Sequence, residues 1–296
     1  MLDFRINTFI TVCEYMNFTK AAESLCITQP AVSQHIKYLE KFYDVKLFEY
    51  EGKKLKLTPS GNLLYRTSLT IKHDEKYLKN LMKEEKSTVK KIRFGATLTI
   101  GEFVLPKKLH KYYENNDDIQ IDMIVSNTEN LLTKLEHGEI DFAFIEGHFI
   151  KNKYDYLVYS EEKYICVSGV DYKFNDMISE KKKLQLEDLL NETLIVREKG
   201  SGTRDILEKN LEDKNLSTLD FKKMMEIGNI NALKYLVKNN DGITFLYEAA
   251  VKKEILEGAL KRIDVTDLYT DHNFYFIWRK NSTFSNVYKQ IVQELS

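Results

Sequence analysis

Residues 21–61 read AAESLCITQPAVSQHIKYLEKFYDVKLFEYEGKKLKLTPSG, and this stretch decides the fold of the N-terminal third. At its centre Thr28 is placed to cap a helix that has Pro30 in its first turn, where a missing amide hydrogen costs nothing. Along that helix Val32, Ile36, Leu39 and Tyr43 share one face, leaving Gln29, Pro30, Ser33, Gln34, Lys37 and Lys41 free to meet a partner. Upstream, Asn17 caps a shorter helix whose paired Ala21 and Ala22 admit a close neighbour, and Leu2, Ile6, Phe9 and Cys13 form the stripe of a first amphipathic helix. Downstream, Lys46 to Tyr50 and Lys54 to Thr58 read as two short strands joined by a turn containing Gly52. Three helices followed by a hairpin make a winged helix-turn-helix, assigned to residues 1–58.

From Pro59 to about Glu85 there is no further proline, and Leu64, Ile71 and Leu78 recur every seven residues with Met82 four beyond. This is a short seam for pairing two helices in a dimer, carried by a linker helix over residues 59–90. The polar run KEEKSTVKK marks the exit into the next unit. Strands and helices then alternate: KIRFGATL, a helix near Leu105 to Glu114, IQIDMIVS, a helix near Thr128 to His137, and IDFAFIEG. A second round runs YICVSGV, a helix over Gln185 to Leu190, TLIVREKG, a helix from Thr203 to Asn210, FKKMMEI, a helix from Ile230 to Asn239, and GITFLYEAAV. The phrases HGEIDFAFIEG and NNDGITFLYEA give the two rounds the look of an internal repeat. The last strand, FYFIWRK, and a helix from Val287 to Leu295 are expected to return to the first round. The expected architecture is α/β, with an N-terminal, mainly α winged helix-turn-helix, a long linker helix and a two-lobed α/β domain of the periplasmic-binding-protein type over 91–296. Its first lobe spans about 91–160 and 268–296 and its second about 161–267, with a ligand cleft between them.

Charge is divided unevenly along the chain. Residues 1–91 carry 16 Lys or Arg against 11 Asp or Glu, net +5, and the remainder carries 28 against 34, net −6. A basic front and an acidic rear suit a molecule that touches phosphates with one end. Three cysteines, Cys13, Cys26 and Cys166, form no CxxC and read as buried thiols rather than a disulfide framework, with redox sensing at Cys166 the minor alternative. No run approaches the length of a membrane span, and the first residues have neither a basic flank nor a small-residue cleavage site, so a cytoplasmic location away from membranes is expected. The six histidines are scattered without HExxH or a ligand-like cluster, and no GxSxG or Walker loop occurs. Neither a catalytic residue nor a metal site is expected, and no enzymatic activity.

The segment 21–61 closely resembles the winged helix-turn-helix of LysR-type transcriptional regulators. The resemblance rests on Ala21-Ala22, Leu25, Thr28-Gln29-Pro30-Ala31-Val32-Ser33, Leu39-Glu40, Leu47-Phe48 and Leu57-Thr58-Pro59-Ser60-Gly61 at the family's spacings. It implies that the third helix lies in the major groove of double-stranded DNA with its N-terminal end toward the bases. Gln29 and Gln34 would then address adenine, Pro30 and Ala31 thymine methyls, and Ser33 base or phosphate, with Thr28 at the helix start. Thr19, Lys37 and the wing residues Lys53 and Lys54 would hold phosphates. Two departures stand out: Tyr50 occupies a wing position where arginine is usual, and Asp44 one where glycine often follows the recognition helix.

In the rear domain the sharpest motif is REKGSGTRD, Arg197 to Asp205, a glycine-rich turn after a strand in which Ser201 or Thr203 opens a helix. Free amides, a helix N-terminus and a hydroxyl converge there, as an oxyanion requires. The motif resembles the one in family members that control carbon fixation and sulfur assimilation. Thr97, Thr99, Asn127, Thr128 and Glu146 are expected to face it across the cleft. The resemblance implies no cofactor, but a small anionic effector, a homodimer or homotetramer, and RNA polymerase as a further candidate partner. A transport-type solute-binding protein shares the two-lobed architecture and is the competing reading.

Overall fold

The computed structural model describes residues 3–84, 90–174 and 183–295. The polar exit from the linker, at 85–89, and Leu2 of the first stripe lie outside the described residues. The head consists of α1 (Phe4–Tyr15), α2 (Phe18–Ser24), α3 (Gln29–Tyr43), β1 (Phe48–Glu51) and β2 (Lys54–Leu57). Each helix starts on a side-chain cap: Asp3 accepts from the Arg5 amide, Asn17 from Thr19 and Lys20, and Thr28 from Ala31. Phe9, Val12, Ala21, Val32, Ile36, Leu39 and Leu47 form one buried cluster. Tyr43, expected in that cluster, is instead 45% exposed, because the chain leaves the helix at Asp44 in the left-handed region at φ +52°. Aspartate tolerates that conformation better than most residues, which is how the family's glycine is dispensed with here. Cys26 is likewise exposed, held at φ +54° in the turn before α3, so only Cys13 and Cys166 are buried thiols.

The wing begins later than the sequence pattern suggests, for a local reason. The Glu40 carboxylate accepts from the Leu47 amide at 3.0 Å and from Lys46 Nζ at 2.8 Å, so the Leu47 amide is spent on α3 and the strand ladder starts after it. β1 and β2 then pair antiparallel from Phe48↔Leu57 to Glu51↔Lys54, closed by a two-residue turn with Gly52 at φ +62°. Thr58 accepts the Gly61 amide and donates to the Lys46 carbonyl, so it joins the wing to the linker helix α4 (Pro59–Glu84). A Cβ on Gly61 would lie 2.0 Å from the Leu47 carbonyl oxygen, which makes the glycine of LTPSG a packing requirement.

The rear domain is built on one continuous sheet that bends through both lobes. Lobe I contains β3 (Lys90–Ala96), α5 (Leu105–Glu114), β4 (Ile119–Val125), α6 (Thr128–Glu136) and β5 (Phe142–Ile145). A π-helical turn, Ile100–Val104, leads into α5. The chain crosses to lobe II on β6 (Tyr154–Gly169), far longer than the YICVSGV segment suggested. Lobe II comprises β7 (Thr193–Val196), α7 (Gly202–Glu212), β8 (Lys223–Glu226), α8 (Ile230–Lys238), β9 (Ile243–Tyr247), α9 (Glu248–Leu256) and β10 (Leu260–Ile263). β11 (Asp271–Arg279) returns to lobe I, followed by α10 (Ser285–Glu294). The strand order is β4-β3-β5-β11-β6-β9-β7-β8, with β10 on β6.

The apparent repeat has a structural counterpart. β5 runs parallel to β3 and antiparallel to β11, and β9 runs parallel to β7 and antiparallel to β6. Each lobe thus places one strand between a strand of its own and a crossing strand. The left-handed residue before that strand is Gly138 at φ +63° in lobe I and Asn240 at φ +64° in lobe II. The helix α9 was not separable from its strand in the pattern GITFLYEAAV, because both are buried and apolar over Ala250 and Val251.

Candidate functional site

The head gathers its polar residues into a shallow concavity of about 590 Å³ between α2, α3 and the wing. Thr19, Gln29, Ser33, Lys37, Lys53 and Tyr50 all line it. Pro30, Gln34 and Lys54 are exposed beyond its rim and Ala31 is half-buried, so the predicted contacts divide between the concavity and the outer face of α3. Gln29 Nε2 donates to Ser33 Oγ at 3.0 Å, which orients both side chains at the start of the helix. Thr28 is committed to capping, which leaves its hydroxyl to the backbone. Tyr50 is 69% exposed on the wing rim, at the position where arginine is usual.

Along α4, Leu64 is half-buried against the head, while Ile71, Leu78 and Met82 are exposed and form an apolar seam on one side. An adjoining side is anchored to lobe I. Asp74 accepts from Ser282 Oγ at 2.7 Å and from Thr283 through its amide at 2.8 Å and its hydroxyl at 2.9 Å. Burial pushes its carboxyl up, but hydrogen bonding to His73, Ser282 and Thr283 outweighs that and holds it below the usual aspartate range. His73 Nε2 donates to the Ile140 carbonyl at 3.2 Å, and Tyr77 packs edge-on against Phe284 and Tyr288. Sequence periodicity misses these anchors because they join residues far apart in the chain, 208 positions in the case of Asp74 and Ser282.

The inter-lobe site is closed. Gly147 of lobe I meets Gly202 of lobe II so tightly that a Cβ on Gly147 would lie 2.5 Å from the Gly202 Cα. The Glu129 amide donates across the gap to the Gly200 carbonyl at 3.2 Å, and Asn127 Nδ2 reaches Glu198 at 3.5 Å. Thr97, Thr99, Thr128, Glu146, Ser201 and Thr203 are all buried here, and Asn127 is half-buried and caps α6. Ser201 stands at the start of α7, but its hydroxyl does not cap the helix.

At the centre of this site is the Glu146 carboxylate. Its Oε1 accepts from Thr203 Oγ1 at 2.5 Å and from Thr99 Oγ1 at 3.3 Å, and Thr128 Oγ1 donates to its carbonyl at 3.0 Å. Burial pushes its carboxyl up, opposed by the Thr203 hydroxyl and the charge of Arg197. Tyr164 and Tyr247 adjoin this carboxylate although the sequence pattern did not single them out, and Arg197, which opens the REKGSGTRD motif, was not among the residues expected to face the cleft. Tyr164 donates to the Thr203 carbonyl at 2.8 Å, and Arg197 is fully buried with its Nε and Nη2 on Glu198. An arginine so deeply buried after a strand is recognisable only once the lobes close over it.

Beside this contact opens a cavity of about 300 Å³ lined by residues including His148, Lys151, Lys209, Asp213, Tyr269 and His272. Both histidines are held below the usual imidazole range, first by burial, with the nearby Lys209 charge adding to it. Cys166 lies inside lobe II, where burial drives its thiol far above the usual cysteine range and so disfavours the thiolate. Among the described residues no group of three or more His, Cys, Asp or Glu is arranged to hold a metal ion. No described helix is long and apolar enough to cross a membrane.

A head built for DNA, joined by a helix to two lobes closing on a buried polar site, defines a ligand-responsive DNA-binding regulator. Residues 5–62 match the bacterial regulatory helix-turn-helix family of lysR type, and residues 86–296 match the LysR substrate binding domain. The chain is a member of the LysR family of transcriptional regulators, and as such a DNA-binding regulator and not an enzyme. The matching head removes the transport-type solute-binding alternative. Among its relatives, the HTH-type regulator MJ0300 of Methanocaldococcus jannaschii is 31% identical over 91% of this chain and 90% of that one. CysL of Bacillus subtilis is 29% identical over 92% and 89%. A peroxide-bound mutant of OxyR from Corynebacterium glutamicum shares the fold, with a TM-score of 0.60 at 22% identity over 98% of this chain and 90% of that one.

Proposed function

We propose that this regulator binds its operator through α3 and the wing as a homodimer or homotetramer in the cytoplasm, and that a small anion in the inter-lobe site alters that binding or the bend of the promoter DNA. The observation that carries the effector reading is the set of buried hydroxyls from both lobes, Thr97, Thr99 and Thr128 on one side and Ser201 and Thr203 on the other, converging with Arg197. Polar groups drawn from two lobes are costly to bury unless each is matched, and here Thr97 Oγ1, Glu146 Oε2 and Arg197 Nη1 are not.

In this reading residues 1–58 are the head, 59–90 the dimerising linker and 91–296 the sensor, its lobes divided near 160 and 268. Asn127 and Glu146 complete the effector shell. Gln29, Ser33 and Gln34 read bases, with Pro30 and Ala31 against thymine methyls, while Thr19, Lys37, Lys53 and Lys54 hold phosphates. Ile71, Leu78 and Met82, with Leu64 at the head end, form the seam between protomers. RNA polymerase would be met by the DNA-bound form. A ligand shifts the assembly only by its differential affinity for the two arrangements, and the lobe-to-linker anchor at Asp74 is the route by which lobe motion reaches the head.

The test is the double substitution Ser201→Ala with Thr203→Ala. Operator affinity in gel-shift assays should stay within about threefold, while the effect of cellular small-molecule extracts or inorganic anions on that affinity is lost. An equal fall in operator binding without any ligand would break the division of labour.

A further inference from the structure

Two buried groups of opposite charge in the inter-lobe site each keep one polar atom without a partner. Glu146 is 1% exposed, and while its Oε1 takes the Thr203 and Thr99 hydroxyls, its Oε2 meets no donor. Arg197 is 2% exposed, and with Nε and Nη2 engaged by Glu198 its Nη1 meets no acceptor. Thr97 Oγ1 and the Tyr247 hydroxyl are also buried and unpartnered. Arg197 and Tyr247 interact with the Glu146 carboxylate through charge and Thr97 acts on it through its hydroxyl, so the free atoms belong to groups gathered around that carboxylate. Leaving such atoms unmatched costs stability, and sets of them mark places built for a ligand.

The chemistry of the set is selective. It offers one charged acceptor, one charged donor and two hydroxyls that do either. A fully deprotonated oxyanion would satisfy Arg197 but turn lone pairs on Glu146 Oε2, and an amine would satisfy Glu146 but turn its charge on Arg197. A species bearing both an O–H and an anionic oxygen satisfies the two together. The ligand must also be small, because the backbones of Gly147 and Gly202 touch at the edge of the site.

We propose, resting on the reading of this cleft as the effector site, that Glu146 selects a small oxyanion that carries its own proton, donating it to Oε2 while its charged oxygens take Arg197 Nη1 and Thr97. Isosteric anions without a proton are rejected because they would face a buried carboxylate.

Titration calorimetry on the full chain at neutral pH tests this with two matched pairs: inorganic phosphate against sulfate, and bicarbonate against nitrate. In the pair whose size fits, the proton-bearing member should bind about 100-fold or more tightly. Glu146→Gln replaces the acceptor with an amide that donates, so it should shrink that ratio at least tenfold or reverse it. The wild-type ratio needs no variant and stands even if Glu146→Gln folds poorly. Equal affinity within a pair would mean that Glu146 supplies the proton itself, overturning the selectivity while leaving the effector site intact. Tighter binding of glycine than of all four anions would overturn it in favour of an amine. Failure of every compound to bind would overturn the selectivity and the effector reading together.

Discussion

The head and the inter-lobe site both present clusters of hydroxyls and amides, yet they hold them in opposite states. In the head, Thr19, Gln29, Gln34, Lys37, Lys53 and Lys54 are exposed and unencumbered, apart from the bond between Gln29 and Ser33. Between the lobes, Thr97, Thr99, Thr128, Glu146 and Thr203 are buried and, except for Thr97, already engaged with one another. On the proposed reading DNA, a large polyanion, docks from outside, so the residues that contact it can wait in solvent. On the same reading a small effector must be enclosed to be distinguished, so its readers are drawn from both lobes.

The sharpest way to break this comparison is to insert one methyl group on each side of it. Gly61→Ala puts a Cβ 2.0 Å from the Leu47 carbonyl and should destabilise the head by roughly 3 kcal/mol or more. Operator binding should disappear in gel shifts, while the thermal transition of the sensor persists. Gly202→Ala puts a Cβ 2.2 Å from the Glu146 carbonyl oxygen and should pry the lobes apart. That variant should retain head stability but lose small-anion binding, and a variant pair with matching phenotypes would erase the distinction.

A smaller effect is expected where the two regions are joined. Asp74→Ala removes the acceptor of three hydrogen bonds from Ser282 and Thr283 and should cost about 2 kcal/mol in denaturant unfolding. Because the folded state holds the Asp74 carboxyl below its unfolded value, that contribution is present above the unfolded pKa and fades as pH falls through the folded one. The stability difference between wild type and Asp74→Asn should therefore narrow on acidification below about pH 4, and a constant difference would argue that the latch is neutral.

On the DNA side, Lys37→Ala should weaken operator and non-specific DNA about equally, by roughly tenfold, and reduce the slope of log affinity against log salt by about 1. A loss confined to the operator would make Lys37 a base reader. The smallest effect is at Asp205, in the first turn of α7, whose carboxyl is pushed up to about 6 by burial and by Glu208 and Glu129. A raised carboxyl stabilises the fold when protonated, so its contribution is full below the unfolded value near 3.8 and lost as pH rises to about 6. Asp205→Asn should flatten this part of the thermal-stability profile, with a gain on the order of 1 kcal/mol at pH 7 after solvent screening.

The head was almost fully legible in the chain because its logic is local. Caps at Asn17 and Thr28, the Pro30 turn and the Val32-Ile36-Leu39 stripe lie within one helix of what they control. The departures arose at turns whose backbone or capping the periodicity does not report, at Cys26, at Asp44 and where the Glu40 carboxylate takes the Leu47 amide and delays the wing. In the sensor the strand and helix alternation and the REKGSGTRD turn were readable, and so was the set of residues at the strand ends. Their condition was not. That Glu146 would claim the Thr203 hydroxyl, that Arg197 would be buried with one nitrogen idle, and that Asp74 would clasp Ser282 depend on contacts between residues far apart in sequence. Periodicity and capping report on the few residues around a position, so they determined which elements form and which residues end them. Burial and charge balance are set by whatever the closed lobes bring alongside, and only the tertiary structure decided those.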